Sequence, residues 1–136
     1  MNETKAIRVL FASDTSGHTI GYHVVARGLR DAGFEVILTG RLLPNQAAAT
    51  AVQEDVDLLA IRIMDRDPIE YVTTLLQAMR DAGAGVMPVL VGGIVAERDA
   101  AKLRELGIAG VFRPGSKISE IVNCARSAVA SERVAQ

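Results

Sequence analysis

The sequence predicts a doubly wound α/β fold: one five-stranded parallel sheet in the order 2-1-3-4-5, with helices on both faces. Three observations carry that expectation. Five short apolar runs alternate with five segments of helical period. The runs are apolar throughout rather than alternating, as in strands covered on both faces, and such strands are parallel. Glycine closes most of the helical segments, so each helix has a defined stop before the next strand. Right-handed crossovers then select the doubly wound order.

In chain order, residues 7–12 form the first strand. Residues 21–32 carry Tyr22, Val25, Ala26 and Leu29 at helical spacing and stop at Gly33. Residues 34–39 are the second strand. Pro44 suits the first position of a helix over 44–54. Residues 58–64 are the third strand, apolar except at Arg62. Pro68 opens a third helix that ends near Ala82. Residues 86–91 are the fourth strand, closed by Gly92 and Gly93. A fourth helix covers 96–106, and 108–112 is the last strand. Pro114, Gly115 and Ser116 turn the chain, and Ser116 or Ser119 can cap a fifth helix that fades near Ser131. The whole is one flavodoxin-like domain over 1–136, with 1–5 and 131–136 as mobile tails.

Composition narrows the function. The 136 residues fit a single domain, and a 49% hydrophobic fraction supports a real core. A formal charge of −1 offers no nucleic-acid surface. No run is long enough to span a membrane, and the first residues lack the regions of a signal peptide. One cysteine, Cys124, forms no internal disulfide and suits a reducing, cytoplasmic setting, where it reads as a small buried apolar residue.

Ligands of such folds sit beyond the carboxyl ends of the strands, near the switch point. The loops there are 13–21, 64–68, 92–96 and 113–116. The first has the wrong glycine spacing for a dinucleotide fingerprint and lacks a Walker lysine. A phospho-receiver domain needs an aspartate at the end of the third strand, and Arg62 stands there. His18, in the polar glycine-flanked loop, suits metal ligation through a neutral imidazole. His23 is five residues on, off the spacing of a helical two-histidine site, and reads as an ordinary helix residue; no third ligand is evident for a protein-built zinc site.

Residues 7–10, 24–36, 53–57, 91–94 and 106–112 together resemble the cobalamin-binding domain of the acyl-CoA mutases, in particular the stand-alone small subunit of methylmalonyl-CoA mutase-like enzymes. The likeness runs from about residue 7 to 126. That family carries Asp-x-His-x-x-Gly after the first strand, Ser-x-Leu in the third and Gly-Gly after the fourth. His18 and Gly21 match the first motif, with Ser16 at its aspartate position and Gly17 and Thr19 flanking the histidine. Gly92 and Gly93 match the third motif, and Pro114, Gly115 and Ser116 resemble the loop beyond the last strand. The Ser-x-Leu position reads Arg62, Ile63, Met64.

The resemblance implies a base-off cobalamin, expected as adenosylcobalamin, with His18 as lower cobalt ligand and the nucleotide tail in a slot beside the sheet. It implies a separate acyl-CoA mutase large subunit as partner, and a radical carbon-skeleton rearrangement that this chain does not catalyse alone. Two departures leave an alternative open. Ser16 is a weaker partner for the histidine's second nitrogen than aspartate, although Asp14 could substitute. Arg62 either fills the tail slot, turns to a phosphate, or turns to Asp65 and Asp67. The alternative is a divergent, non-catalytic paralogue that has lost tight cobalamin binding and serves as a scaffold or regulatory partner, or binds another small ligand. An exposed rim of Thr19, Ile20 and Tyr22 is expected to dock the partner.

Overall fold

The computed structural model describes residues 5–84 and 86–135. Its elements follow one another as β1 (Arg8–Ser13), α1 (Thr19–Asp31), β2 (Glu35–Arg41), α2 (Pro44–Gln53), β3 (Leu58–Ile63), α3 (Pro68–Asp81), β4 (Val89–Gly93), α4 (Glu97–Glu105), β5 (Gly110–Phe112) and α5 (Ile118–Ala135). All pairings are parallel and the strand order is β2-β1-β3-β4-β5, as expected.

Each face of the sheet is covered by its own helices. Leu10, Leu59, Ile61, Ile63, Val89 and Val91 point toward α2, α3 and α4, where Ala48, Tyr71, Leu75 and Leu103 close a dense core. Val9, Phe11, Leu58, Ala60 and Leu90 point the other way, toward α1 and α5. Two-residue periodicity thus divides the strands between two cores, although both halves of each strand are apolar. On the second face Gly28 brings α1 close to α5: a methyl group there would lie 2.4 Å from Cγ2 of Ile118.

Three boundaries differ from the sequence expectation, each for a physical reason. The fourth strand lies three residues later at its start, because Pro88 offers no amide to the sheet and Val86 is 72% exposed. The strand continues through Gly92 and Gly93, which pair with Arg62 and Ile63 instead of forming a loop. The last helix does not fade at Ser131: α5 runs to Ala135, so the expected mobile tail is helical over 131–135, with Val129 and the ion pair of Arg133 to Asp57 holding that end. The expected mobility of 1–4 falls outside the described residues. Ser116 does not cap α5; its hydroxyl donates to the Arg113 carbonyl at 2.7 Å, and the Lys117 amide finds Glu120 at 3.1 Å.

Gly93 is the position that only glycine satisfies. Its φ is +116°, and an added methyl group would stand 2.1 Å from the carbonyl oxygen of Ile63. The backbone of β4 therefore lies hard against β3 at the carboxyl edge.

Candidate cofactor-binding site

On the α1 and α5 face the packing does not close. A cavity of about 480 Å³ lies between these two helices and the sheet, within the range of small-molecule sites. Its interior is apolar: Val9, Leu58, Ala60 and Leu90 from the sheet, Val25 and Leu29 from α1, Ile118 and Ile121 from α5. Its mouth is at the carboxyl ends of the strands. There it meets His18, Gly21, Arg62, Met64, Gly92, Gly93 and the turn of Pro114, Gly115 and Ser116.

Small residues shape this space. In register across the sheet, Phe11, Ala60 and Leu90 form one row, and Ser13, Arg62 and Gly92 the next. Ala60 leaves the middle of the first row shallow. Gly92 leaves one side of the second row without a side chain, while Arg62 occupies the side nearer β1.

The loop between β1 and α1 carries His18 at the helix N-cap, in the left-handed region with φ 50° and ψ 52°. A non-glycine residue pays roughly 1–2 kcal/mol for this conformation. The His18 side chain makes no capping bond and is exposed at the mouth. Within the loop, the Thr15 amide donates to Ser13 Oγ at 3.3 Å and the Gly17 amide to Thr15 Oγ1 at 3.1 Å.

Arg62 does not turn to Asp65 or Asp67. It is 7% exposed, and its guanidinium turns back onto the His18 loop. Nε donates to Ser13 Oγ at 3.1 Å, Nη2 to the Gly17 carbonyl at 2.7 Å, and Nη1 to the His18 carbonyl. Its Cζ stands 5.0 Å from the centre of the Tyr22 ring. Asp65 and Asp67 are not its partners. Asp67 is occupied as the N-cap of α3, accepting from the amides of Ile69 and Glu70. Asp65 is exposed on the loop after β3. The cavity that Arg62 lines is also lined, deeper along the sheet, by Ala60 and Leu90.

Asp14 cannot substitute for an acid beside His18. Its carboxylate accepts from the amides of Met64, Asp65 and Arg66 at 2.9, 2.9 and 2.7 Å, and so ties the first loop to the third. Among the described residues the His18 ring has no hydrogen bond to Asp14 or Ser16. Tyr22, expected on the exposed rim, is 3% exposed. Its hydroxyl donates to the Phe11 carbonyl and accepts from the Gly40 amide at 3.0 Å. Burial lifts its phenol above the usual range, an effect only partly offset by the Gly40 bond and the Arg62 charge, so the ring stays neutral. Cys124 is half-buried against Ala109, and burial raises its thiol, which favours the protonated form.

Of the residues singled out from the sequence, nine meet at the cavity: His18, Gly21, Arg62, Met64, Gly92, Gly93, Pro114, Gly115 and Ser116. Ser16, Gly17 and Thr19 do not line it; they belong to the loop that presents His18. Sequence reasoning missed the apolar walls, chiefly Ala60, Phe112, Ile118 and Ile121. One signal was available, the small Ala60 amid larger residues of a central strand.

Comparison with known proteins agrees with this geometry. A family model for the B12 binding domain matches residues 8–123. The 2-hydroxyisobutanoyl-CoA mutase small subunit of Aquincola tertiaricarbonis is 37% identical over 127 residues, covering 92% of this chain and 93% of that protein. The pivalyl-CoA mutase small subunit of Xanthobacter autotrophicus is 40% identical over 124 residues, covering 89% and 82%. A CheY-like response regulator receiver domain from Methanospirillum hungatei superposes with a TM-score of 0.73 at 12% identity, over 97% of this chain and all of that one, a likeness of fold alone. With a family model spanning most of its length and two such relatives, the chain belongs to the B12-binding domain family.

Proposed function

We propose that this chain is the cobalamin-binding small subunit of an acyl-CoA mutase, acting beside a separate large subunit in a reducing, cytoplasmic setting. The observation that carries the proposal is the apolar cavity with an exposed histidine at its mouth. Among the described residues no three His, Cys, Asp or Glu side chains converge on a metal site. A lone imidazole would supply one ligand, which fits a metal whose remaining ligands come with a macrocycle.

In this reading His18 is the lower cobalt ligand. The interior from Ala60 to Ile121 takes the nucleotide tail, and Gly92, Gly93 and the 114–116 turn let the cofactor approach the backbone. When bound, adenosylcobalamin supplies the radical that starts a carbon-skeleton rearrangement. The role proposed for the chain itself is to bind and orient the cofactor. Ile20, 83% exposed beside His18, and the exposed Val24 and Ile94 form an apolar fringe suited to docking the large subunit.

Titration of the purified protein with adenosylcobalamin tests this. The expected result is a base-off, histidine-ligated absorption spectrum; no spectral change at saturating cofactor would overturn it. The divergent, non-binding reading rests on one observation, the absence of an acid beside the His18 ring. Ser16→Asp addresses it directly. Restoring a carboxylate partner should tighten cobalamin binding by about tenfold, the lower end of what such partners contribute. Under the non-binding reading wild type stays silent and only the variant responds. Cobalamin should also strengthen co-purification with an acyl-CoA mutase large subunit, and Ile20→Asp should weaken it.

A further inference from the structure

We propose that Arg62 is the positioning residue of this site: through the carbonyls of Gly17 and His18 it fastens the histidine loop from behind, and so holds the imidazole at the cavity mouth before any cofactor arrives. The proposal deepens the cobalamin reading and rests on it for one arm of its test, but not for the other.

The loop has little of its own to hold it. Ser16, Gly17 and His18 are exposed, its internal bonds are two side-chain to amide contacts, and His18 sits in a left-handed conformation without a capping bond. A strained residue persists only where its surroundings over-determine it. Arg62 supplies that determination. Three nitrogens of one rigid, planar group reach three acceptors, two of them carbonyls of successive residues. Bonds from an ionised donor are stronger than neutral ones.

The guanidinium is itself fixed. Its plane lies near the Tyr22 ring, and Tyr22 is pinned by Phe11 and Gly40. The ring centroids of Phe11 and Tyr22 are 4.5 Å apart, which joins the assembly to the sheet. A chain of contacts therefore runs from β1 through Tyr22 and Arg62 to the backbone of His18. The placement carries costs: Arg62 is buried without a carboxylate partner among the described residues, and a cation near the N-terminus of α1 opposes the helix dipole. Its contacts with the loop carbonyls are what offset them. A side chain that merely blocked the cavity would need none of these bonds, and Gly92 leaves the other side of the mouth free of side chain.

The fastening explains how the site functions without an acid on the histidine ring. Where an aspartate would orient the imidazole through its second nitrogen, Arg62 orients it through the main chain. A pre-formed loop raises the fraction of molecules ready to bind, and the apparent affinity and association rate scale with that fraction.

The test uses the whole chain, with Arg62→Met and Arg62→Lys compared with wild type by 15N relaxation without cofactor. Wild type should show order parameters of about 0.85 over 16–18, and Arg62→Met values below about 0.6, with α3 unchanged. Arg62→Lys keeps the charge but not the fork, so its loop should also loosen; it decides the matter if Arg62→Met does not fold. In the second arm, adenosylcobalamin should associate about tenfold more slowly with Arg62→Met, yet give the same histidine-bound spectrum at saturation. An ordered loop in either variant, or faster association, would overturn the proposal, the latter showing that Arg62 obstructs the mouth. If wild type takes up no cobalamin, the functional reading fails, while the relaxation arm still decides the role of Arg62.

Discussion

His18→Ala should remove the histidine-ligated spectrum of bound cobalamin and weaken binding by about 100-fold or more. Loss of a group that only orients a metal-bound histidine costs roughly 10–100-fold, and loss of the ligand itself stands at or beyond the upper end. The ring contributes nothing visible to folding: it is exposed and caps no helix. Its backbone does matter, since it is left-handed and its carbonyl accepts from Arg62. His18→Asn is therefore the cleaner companion, because asparagine tolerates the left-handed region while offering no imidazole. His18→Asn should unfold at about the wild-type temperature, and His18→Ala slightly below it. Tight, spectrally unchanged binding by His18→Asn would remove His18 from the site.

The strand order was legible because fully buried parallel strands are continuous apolar runs, and helix stops at Gly33, Gly83 and Gly107 separate them. The same continuity hid the cavity. In residues 58–61 every side chain is apolar, so nothing in composition tells that Ala60 faces α1 and α5 while Ile61 faces α3. Pairing across the sheet settles that, and pairing is a long-range property. Gly92 and Gly93 read as a loop because glycine is rare inside strands, yet here the close approach of β4 to β3 requires one of them.

Arg62 shows the limit most clearly. Its identity and place at the end of the third strand were evident, as was the need for partners. The direction of a long side chain depends on what stands around it. Asp67 was unavailable because Pro68 starts a helix that needs a cap, and Asp14 because three amides converge on it. Both facts follow from local geometry at positions remote in sequence from Arg62. The acceptors that remained were the Ser13 hydroxyl and two loop carbonyls, and carbonyls are groups that every residue possesses and that no motif can announce.

Filling the cavity from the sheet should separate binding from stability. Ala60 lies between Phe11 and Leu90 in the row that forms the cavity floor, with open space above it. Ala60→Phe places a ring in that space. The added apolar burial should stabilise the fold by about 1 kcal/mol, within the usual gain for cavity-filling changes. Cobalamin affinity should fall by at least about 100-fold, because the region that would receive the nucleotide tail is occupied; losing 100-fold corresponds to about 2.7 kcal/mol of binding. The neighbouring change Ile61→Phe is the control. Ile61 is 1% exposed in the dense core against α2 and α3, where an extra ring costs about 1–3 kcal/mol. The two variants differ by one position along a strand and should move the unfolding temperature in opposite directions, with cobalamin binding lost in the more stable of the two. Wild-type affinity in Ala60→Phe would mean that the tail does not enter this cavity, and the functional reading would then rest on His18 alone.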